Sequence, residues 1–439
     1  MGNKVLRSET LRSGRVDFSY EKLTLENGLT VFVAPMEGYR AVQACLAVGF
    51  GSVDRRFLRQ GQETALPAGV AHFLEHKMFE SEDGDAFDLY ARIGASANAY
   101  TSFEKTCYVF GATDQVDESL DVLLGSVSHP WFTEATVAKE QGIIGQEIRM
   151  YEDSPDWRIL FAVFDCLYHN CPIKEDIAGT VESIADITPE TLYACTDAFY
   201  TPDNMVLAVA GSVTRAQVLA ALDRAELPQG GETGQKLRRP EPEEIVHAGA
   251  ELEMAVSQPV LGIGFKERPR GADERLRWEV LADLLGELLI GDTTPLYRRL
   301  YDEGLVNSGF SSDVFSGEGY FCILFSGETR EPETVRAALL QEIARLRAQG
   351  IADEDFQLCR NVLYGEAVSG FESPEGVAAD LAACGLRDEP LFAELEILAA
   401  LTAEDVRAAL EELLREERSA AVVLRPLAGR GQTARTAEE

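Results

Sequence analysis

Five histidines occur in 439 residues, and two of them stand four apart in His72-Phe73-Leu74-Glu75-His76. Residues at i and i+4 share one face of a helix, so both imidazoles can reach a single Zn²⁺, and Glu75, three residues after His72, points to the same side. The flanking Val70, Ala71, Phe73, Leu74, Met78 and Phe79 make the segment apolar nearly all round, which predicts a buried helix, with Pro67 in its first turn. Two core histidines satisfied by hydrogen bonds are the structural alternative. It leaves Glu75 without a partner in an apolar helix, at a cost of several kcal/mol.

A catalytic zinc needs a third protein ligand and an open position. The helical pattern over 133–153 supplies Glu140 and Glu147, seven residues apart and on one face, with Ile143 and Ile144 between them. They lie about 10 Å apart along the axis, so one can reach the metal while the other braces from behind. Such a set fits hydrolysis. Zinc lowers the pKa of its water toward about 7 and polarises a carbonyl, while Glu75 takes the proton and hands it to the leaving amine.

These residues need elements to hold them. Leu23-Thr24-Leu25 and 29–34, joined at Asn27-Gly28, read as a β-hairpin, and 41–48 and 107–112 as further strands. Helical spacing covers 85–93, 116–128, 133–153 and 158–168, with Pro155 ending the third. One pattern occurs twice, 214 residues apart: a Thr-capped helix after Thr188 and after Thr402, each followed by an apolar strand at 204–210 and 420–424. Likewise a strand at 260–265 precedes a long helix at 273–290, as 41–48 precedes the His72 helix. The expectation is α+β: two similar domains, each a mostly antiparallel sheet with helices packed on one face. The boundaries are 1–227 and 251–439, with a Gly-, Pro- and charge-rich surface linker at 228–250 and no metal site in the second domain.

The composition, 46% apolar and 26% charged, is that of a soluble globular protein, with no run of about 18 apolar residues to span a membrane. The opening Met1-Gly2-Asn3-Lys4-Val5 lacks the apolar block and cleavage site of a secretory signal, and the eight cysteines include no C-x-x-C pair, so reduced thiols in the cytoplasm are expected. Forty basic residues against 74 acidic ones give a net charge of -34, which disfavours nucleic acid and leaves long-range steering of basic peptides open.

Three motifs in order, Gly69-Val70-Ala71-His72-Phe73-Leu74-Glu75-His76, Ala97-Asn98-Ala99-Tyr100-Thr101 and Lys139-Glu140 followed by Glu147-Ile148, carry a resemblance. Roughly residues 20–215 resemble the pitrilysin family of metallopeptidases, whose signature is H-x-x-E-H. The resemblance implies zinc, one ion per chain, on His72, His76 and Glu147, with Glu75 as general base and Glu140 orienting the site. It makes 97–102 an edge strand that takes an extended peptide substrate. Asn98, Ala99 and Thr101 are its substrate-binding residues, the first two closest to the metal. In the family a later domain supplies an Arg and a Tyr to the substrate carbonyl; the matching stretch here has Tyr301 and Asn307 at those places, and Arg298 and Arg299 read as surface charges. Two such domains make half of a four-domain chamber. The expected partner is a related subunit that has the Arg and Tyr but lacks zinc, giving a heterodimer, with a homodimer as the alternative. The competing reading is a non-catalytic peptide-binding scaffold subunit. A zinc deaminase is excluded by the absence of its H-x-E and P-C-x-x-C signature.

Overall fold

The structure, a computed structural model, describes residues 4–82, 84–228 and 231–427. It divides into two compact units, each drawn from separated stretches of the chain.

Unit 1 (1–149, 175–239 and 362–400) is built on a seven-stranded sheet. Its strands are β1 (Val5–Arg12), β2 (Ser19–Leu25), β3 (Thr30–Pro35), β4 (Val42–Val48), β5 (Ser96–Thr101), β6 (Thr106–Ala112) and β7 (Met205–Gly211). They lie in the order β1-β2-β3-β7-β4-β6-β5, so β5 is an edge strand, as expected for 97–102. All neighbours are antiparallel except β3 and β7. The predicted hairpin is the antiparallel β2–β3 pair; β1, with every residue at least partly exposed, shows no clear apolar alternation and was not predicted. On one face Phe79 and Tyr200 meet Tyr108, and Tyr90 meets Phe110, beneath helices α1 (Val70–Met78), α2 (Ala86–Ile93) and α3 (Val116–Ser128). Helix α4 (Glu134–Glu152) follows.

Unit 2 (150–174, 240–361 and 401–439) repeats the plan with five strands: β8 (Gly249–Met254), β9 (Val260–Lys266), β10 (Ser311–Gly317), β11 (Tyr320–Glu328) and β12 (Ser419–Pro426). Their order is β8-β12-β9-β11-β10, and β12 runs parallel to β8 and antiparallel to β9, as β7 does to β3 and β4. The repeated Thr-capped helices are present, with Thr188 and Thr402 accepting from the backbone N–H three residues on. Each leads into the parallel strand of its sheet.

The partition corrects the single break expected at 228–250. Helix α5 (Pro155–Leu167), early in the chain, belongs to unit 2 and packs on β9 so closely that a Cβ on Gly264 would lie 2.3 Å from Val163 Cγ1. Helix α6 (Pro374–Leu386), late in the chain, belongs to unit 1. There Val377, Ala378, Leu381 and Ala382 cover Phe32, Cys45, Ala47, Cys107 and Val206 on the sheet face opposite Tyr108. Apolar periodicity shows that each helix must bury a face but not against which sheet. The expected linker is anchored rather than free, apart from 229–230, which lie outside the described residues. Within unit 1, Gln235–Lys236 pairs with Arg56–Arg59, and Arg238 and Lys236 ion-pair with the buried Asp54. Within unit 2, Glu241 accepts the N–H groups of His169, Asn170 and Cys171 and the ammonium of Lys266. The charges that made the segment look like solvated surface are its fastenings.

None of the eight cysteines is in a disulfide, and seven are buried. No helix among the described residues is long and apolar enough to cross a membrane.

Candidate metal centre

Helix α1 is capped by Gly69 and begins at Val70, so Pro67 lies before its first turn. Gly69 has φ 83°, and a Cβ there would lie 2.3 Å from the carbonyl of Ala178, so only glycine admits this entry. From that point the helix is buried along almost its whole length, and it presents His72 and His76 with ring centroids 4.7 Å apart.

Glu147, on α4, reaches both imidazoles: its oxygens stand 3.6 Å from His72 Nε2 and 3.4 Å from His76 Nε2. One donor atom from each of the three residues lies within 4.8 Å of the others, the one such group among the described residues. A tetrahedral zinc with ligands about 2.1 Å away separates its donors by about 3.4 Å, so these spacings suit an ion better than direct hydrogen bonds. The donor set, two imidazoles and a carboxylate, is of the kind zinc uses in hydrolytic sites.

Glu140, about two turns earlier on the same face of α4, is hydrogen-bonded to His76 Nδ1 at 3.0 Å. A carboxylate on the far nitrogen fixes the ring and leaves Nε2 for the metal side. Of the two helix carboxylates, Glu147 therefore faces the metal position and Glu140 braces. The electrostatics call for a cation here. Burial alone would lower the His76 pKa, but the hydrogen bond to Glu140 and the nearby carboxylates of Glu147 and Glu75 outweigh it and hold it at about 10. Burial would raise the Glu140 pKa, yet the His76 bond and the charges of His76, Lys77 and Lys139 keep it below the ordinary value. His72 has no such brace; its Nδ1 is buried without a hydrogen-bond partner among the described residues.

Glu75, 8% exposed, sits beside the pair, and Thr101 Oγ1 on β5 donates to its Oε2 at 2.7 Å. Burial chiefly raises the Glu75 pKa, while His72 and the Thr101 hydrogen bond pull against it. Sequence reasoning put Thr101 among substrate-binding residues and did not find this bond, because nothing in the sequence says which strand residue faces α1. Asn98 is exposed on β5 with its side chain accepting from Ala99 N, and Ala99 is half-buried. Behind the site Lys77, fully buried, ion-pairs with Glu80, which also stands 3.9 Å from Lys139 on α4. Sequence reading passed over this clamp between α1 and α4; a lysine inside an apolar helix was its signal.

In unit 2, Arg298, Arg299, Tyr301 and Asn307 are exposed; Tyr301 stacks on Tyr297 and Asn307 donates to Glu328.

The family model of insulinase (peptidase family M16) matches residues 41–181, and that of the peptidase M16 inactive domain matches 186–363. The Bacillus subtilis (strain 168) protein named uncharacterized zinc protease YmfH is 36% identical over 406 residues, 91% of this chain and 94% of its own. The chain belongs to the pitrilysin, or M16, family of peptidases. A crystal structure of an M16-like peptidase from Alicyclobacillus acidocaldarius matches it at TM-score 0.90 and 32% identity, covering 94% of this chain and 99% of that one. Pitrilysin shares the fold, with TM-score 0.75 at 18% identity. The match covers 99% of this M16 chain but 48% of pitrilysin.

Proposed function

We propose that the protein is a zinc metallopeptidase that hydrolyses unfolded peptides. The observation that carries this is the convergence of His72, His76 and Glu147 on one point with Glu75 alongside. Bound there, zinc would supply Lewis acidity and a water of lowered pKa. The chain's residues do the rest. Glu140 holds the His76 ring by its Nδ1, Glu75 takes a proton on its carboxylate and returns it to the departing amine, and burial of α1 keeps bulk water from the base. The open edge of β5 offers backbone groups to an extended peptide, with Asn98 and Ala99 on that strand, which suits unfolded chains.

The scaffold alternative is disfavoured because both histidines, Glu147 and Glu75 are all present. We also propose a cytoplasmic location and assembly with a related subunit that lacks zinc, or else with a second copy. Support for pairing is the coverage of about half of pitrilysin and the Tyr301 and Asn307 at the places where the family has its Arg and Tyr. The test is cleavage of an unfolded peptide by the purified chain with any co-purifying subunit. Chelation should abolish it and zinc restore it, and Glu75→Gln should lower kcat by on the order of 10²–10⁴-fold with zinc retained. Cleavage that survives both would exclude this chemistry.

A further inference from the structure

The bond between Thr101 and Glu75 has a direction that its neighbours force. Thr101 Oγ1 lies 2.7 Å from Glu75 Oε2 and 3.5 Å from Thr106 Oγ1. Thr106, fully buried, gives its own hydroxyl proton to the Phe50 carbonyl at 2.9 Å. A hydroxyl has one proton to donate, so that of Thr101 goes to the nearer acceptor, the carboxylate. One oxygen of Glu75 is thereby pinned, which constrains the orientation of its carboxylate.

Thr101 is itself fastened. It is the last residue of β5 and pairs with Thr106 across the β5–β6 hairpin, whose turn closes with Ser102 N donating to Lys105 O at 2.8 Å. That turn is tied to 51–53: Ser52 N donates to Ser102 O and Val53 N to Phe103 O, each at 3.0 Å. A Cβ on Gly51 would lie 2.4 Å from Phe103 O, so the two segments touch backbone to backbone. A hydroxyl held this firmly sets the angle of whatever it bonds.

We infer that Thr101 is a positioning residue for Glu75, holding the base carboxylate at the angle proton transfer needs, and is not a substrate contact. The inference rests on the zinc-peptidase reading above. Its consequence is that the strand offered to the peptide and the base that acts on it form one mechanical unit.

The test uses Thr101→Val, which removes the hydroxyl and keeps the β-branched shape, and Thr101→Ser, which keeps the hydroxyl. Cleavage of a quenched-fluorescent unfolded peptide and zinc content are measured for the full chain with any co-purifying subunit. Thr101→Val should lower kcat on the order of 10–100-fold, with KM within about twofold and zinc as in the parent, and Thr101→Ser should return kcat to within about threefold. In a Glu75→Gln background, where the peptide binds uncut, Thr101→Val should leave its Kd within about twofold. An unchanged kcat, a raised KM or Kd, loss of zinc alongside kcat, or failure of Thr101→Ser to rescue would each overturn the inference. A parent chain that neither holds zinc nor cleaves would remove the zinc-peptidase reading and this inference with it. A cleaving parent matched by an equally active Thr101→Val would remove this inference alone.

Discussion

The edge strands β5 and β10 occupy equivalent places in the two sheets, and each has a helix against it, yet only the helix at β5 carries candidate metal ligands. At β5 the helix is α1, and the contact is a carboxylate on a hydroxyl, Glu75 on Thr101. At β10 it is helix Ala272–Ile290, which buries Leu281, Leu284, Leu285, Leu288 and Leu289 and approaches so closely that a Cβ on Gly286 would lie 2.3 Å from Ser312 Oγ. The two histidines of unit 2, His169 and His247, are exposed. The shared sheet is a platform; what differs is whether its covering helix brings ligands or leucines.

The sharpest contrast concerns buried carboxylates. Glu75 and Glu140 of unit 1 sit beside imidazoles, whereas Glu267 of unit 2 is buried with the Leu414 N–H at 2.7 Å, and its pKa is pushed up to about 7, chiefly by burial. A folded pKa above the ordinary 4.5 means its contribution is full below 4.5 and is lost as pH rises through about 7. Unit 2 should therefore lose on the order of 3 kcal/mol over that window. Glu267→Gln, which still accepts from Leu414, should remove this slope in denaturant titrations at pH 5 and 8. A slope that persists would place the cost elsewhere.

The brace on His76 comes next. Glu140→Gln should weaken zinc binding about 10–100-fold in competition with a chromophoric chelator, leaving the fold intact by circular dichroism. An unchanged affinity would mean that Glu140 is merely a neighbour. The smallest effect belongs to the leucine-covered edge: Gly286→Ala crowds Ser312 by about 1–3 kcal/mol but gains about 1 kcal/mol of helix propensity. The net should be a loss of about 1 kcal/mol without change in zinc affinity, read from thermal unfolding and the same chelator competition.

Much of the site was legible because its signals are local. The i, i+4 histidines, the seven-residue spacing of Glu140 and Glu147 and the apolar setting of α1 all survive in the structure with the geometry that helical periodicity dictates. The hairpin at Asn27-Gly28, helix α3 and the Thr188 and Thr402 caps were equally local. What could not be read depends on tertiary choice. The exchange of α5 and α6 between the halves of the chain leaves no trace in periodicity, since either sheet offers an apolar face. The direction of the Thr101 hydroxyl depends on Thr106 and Phe50, and the anchoring of 235–241 on partners as distant as Asp54 and Lys266.

The central claim is that α1 and α4 together hold a working zinc. It is tested most directly by counting zinc and measuring peptide cleavage for the parent chain and Glu147→Gln, purified identically with any co-purifying subunit. We expect one zinc per parent chain with cleavage, and neither in Glu147→Gln, whose fold is otherwise retained. Zinc bound equally by both proteins, or by neither, would contradict the account.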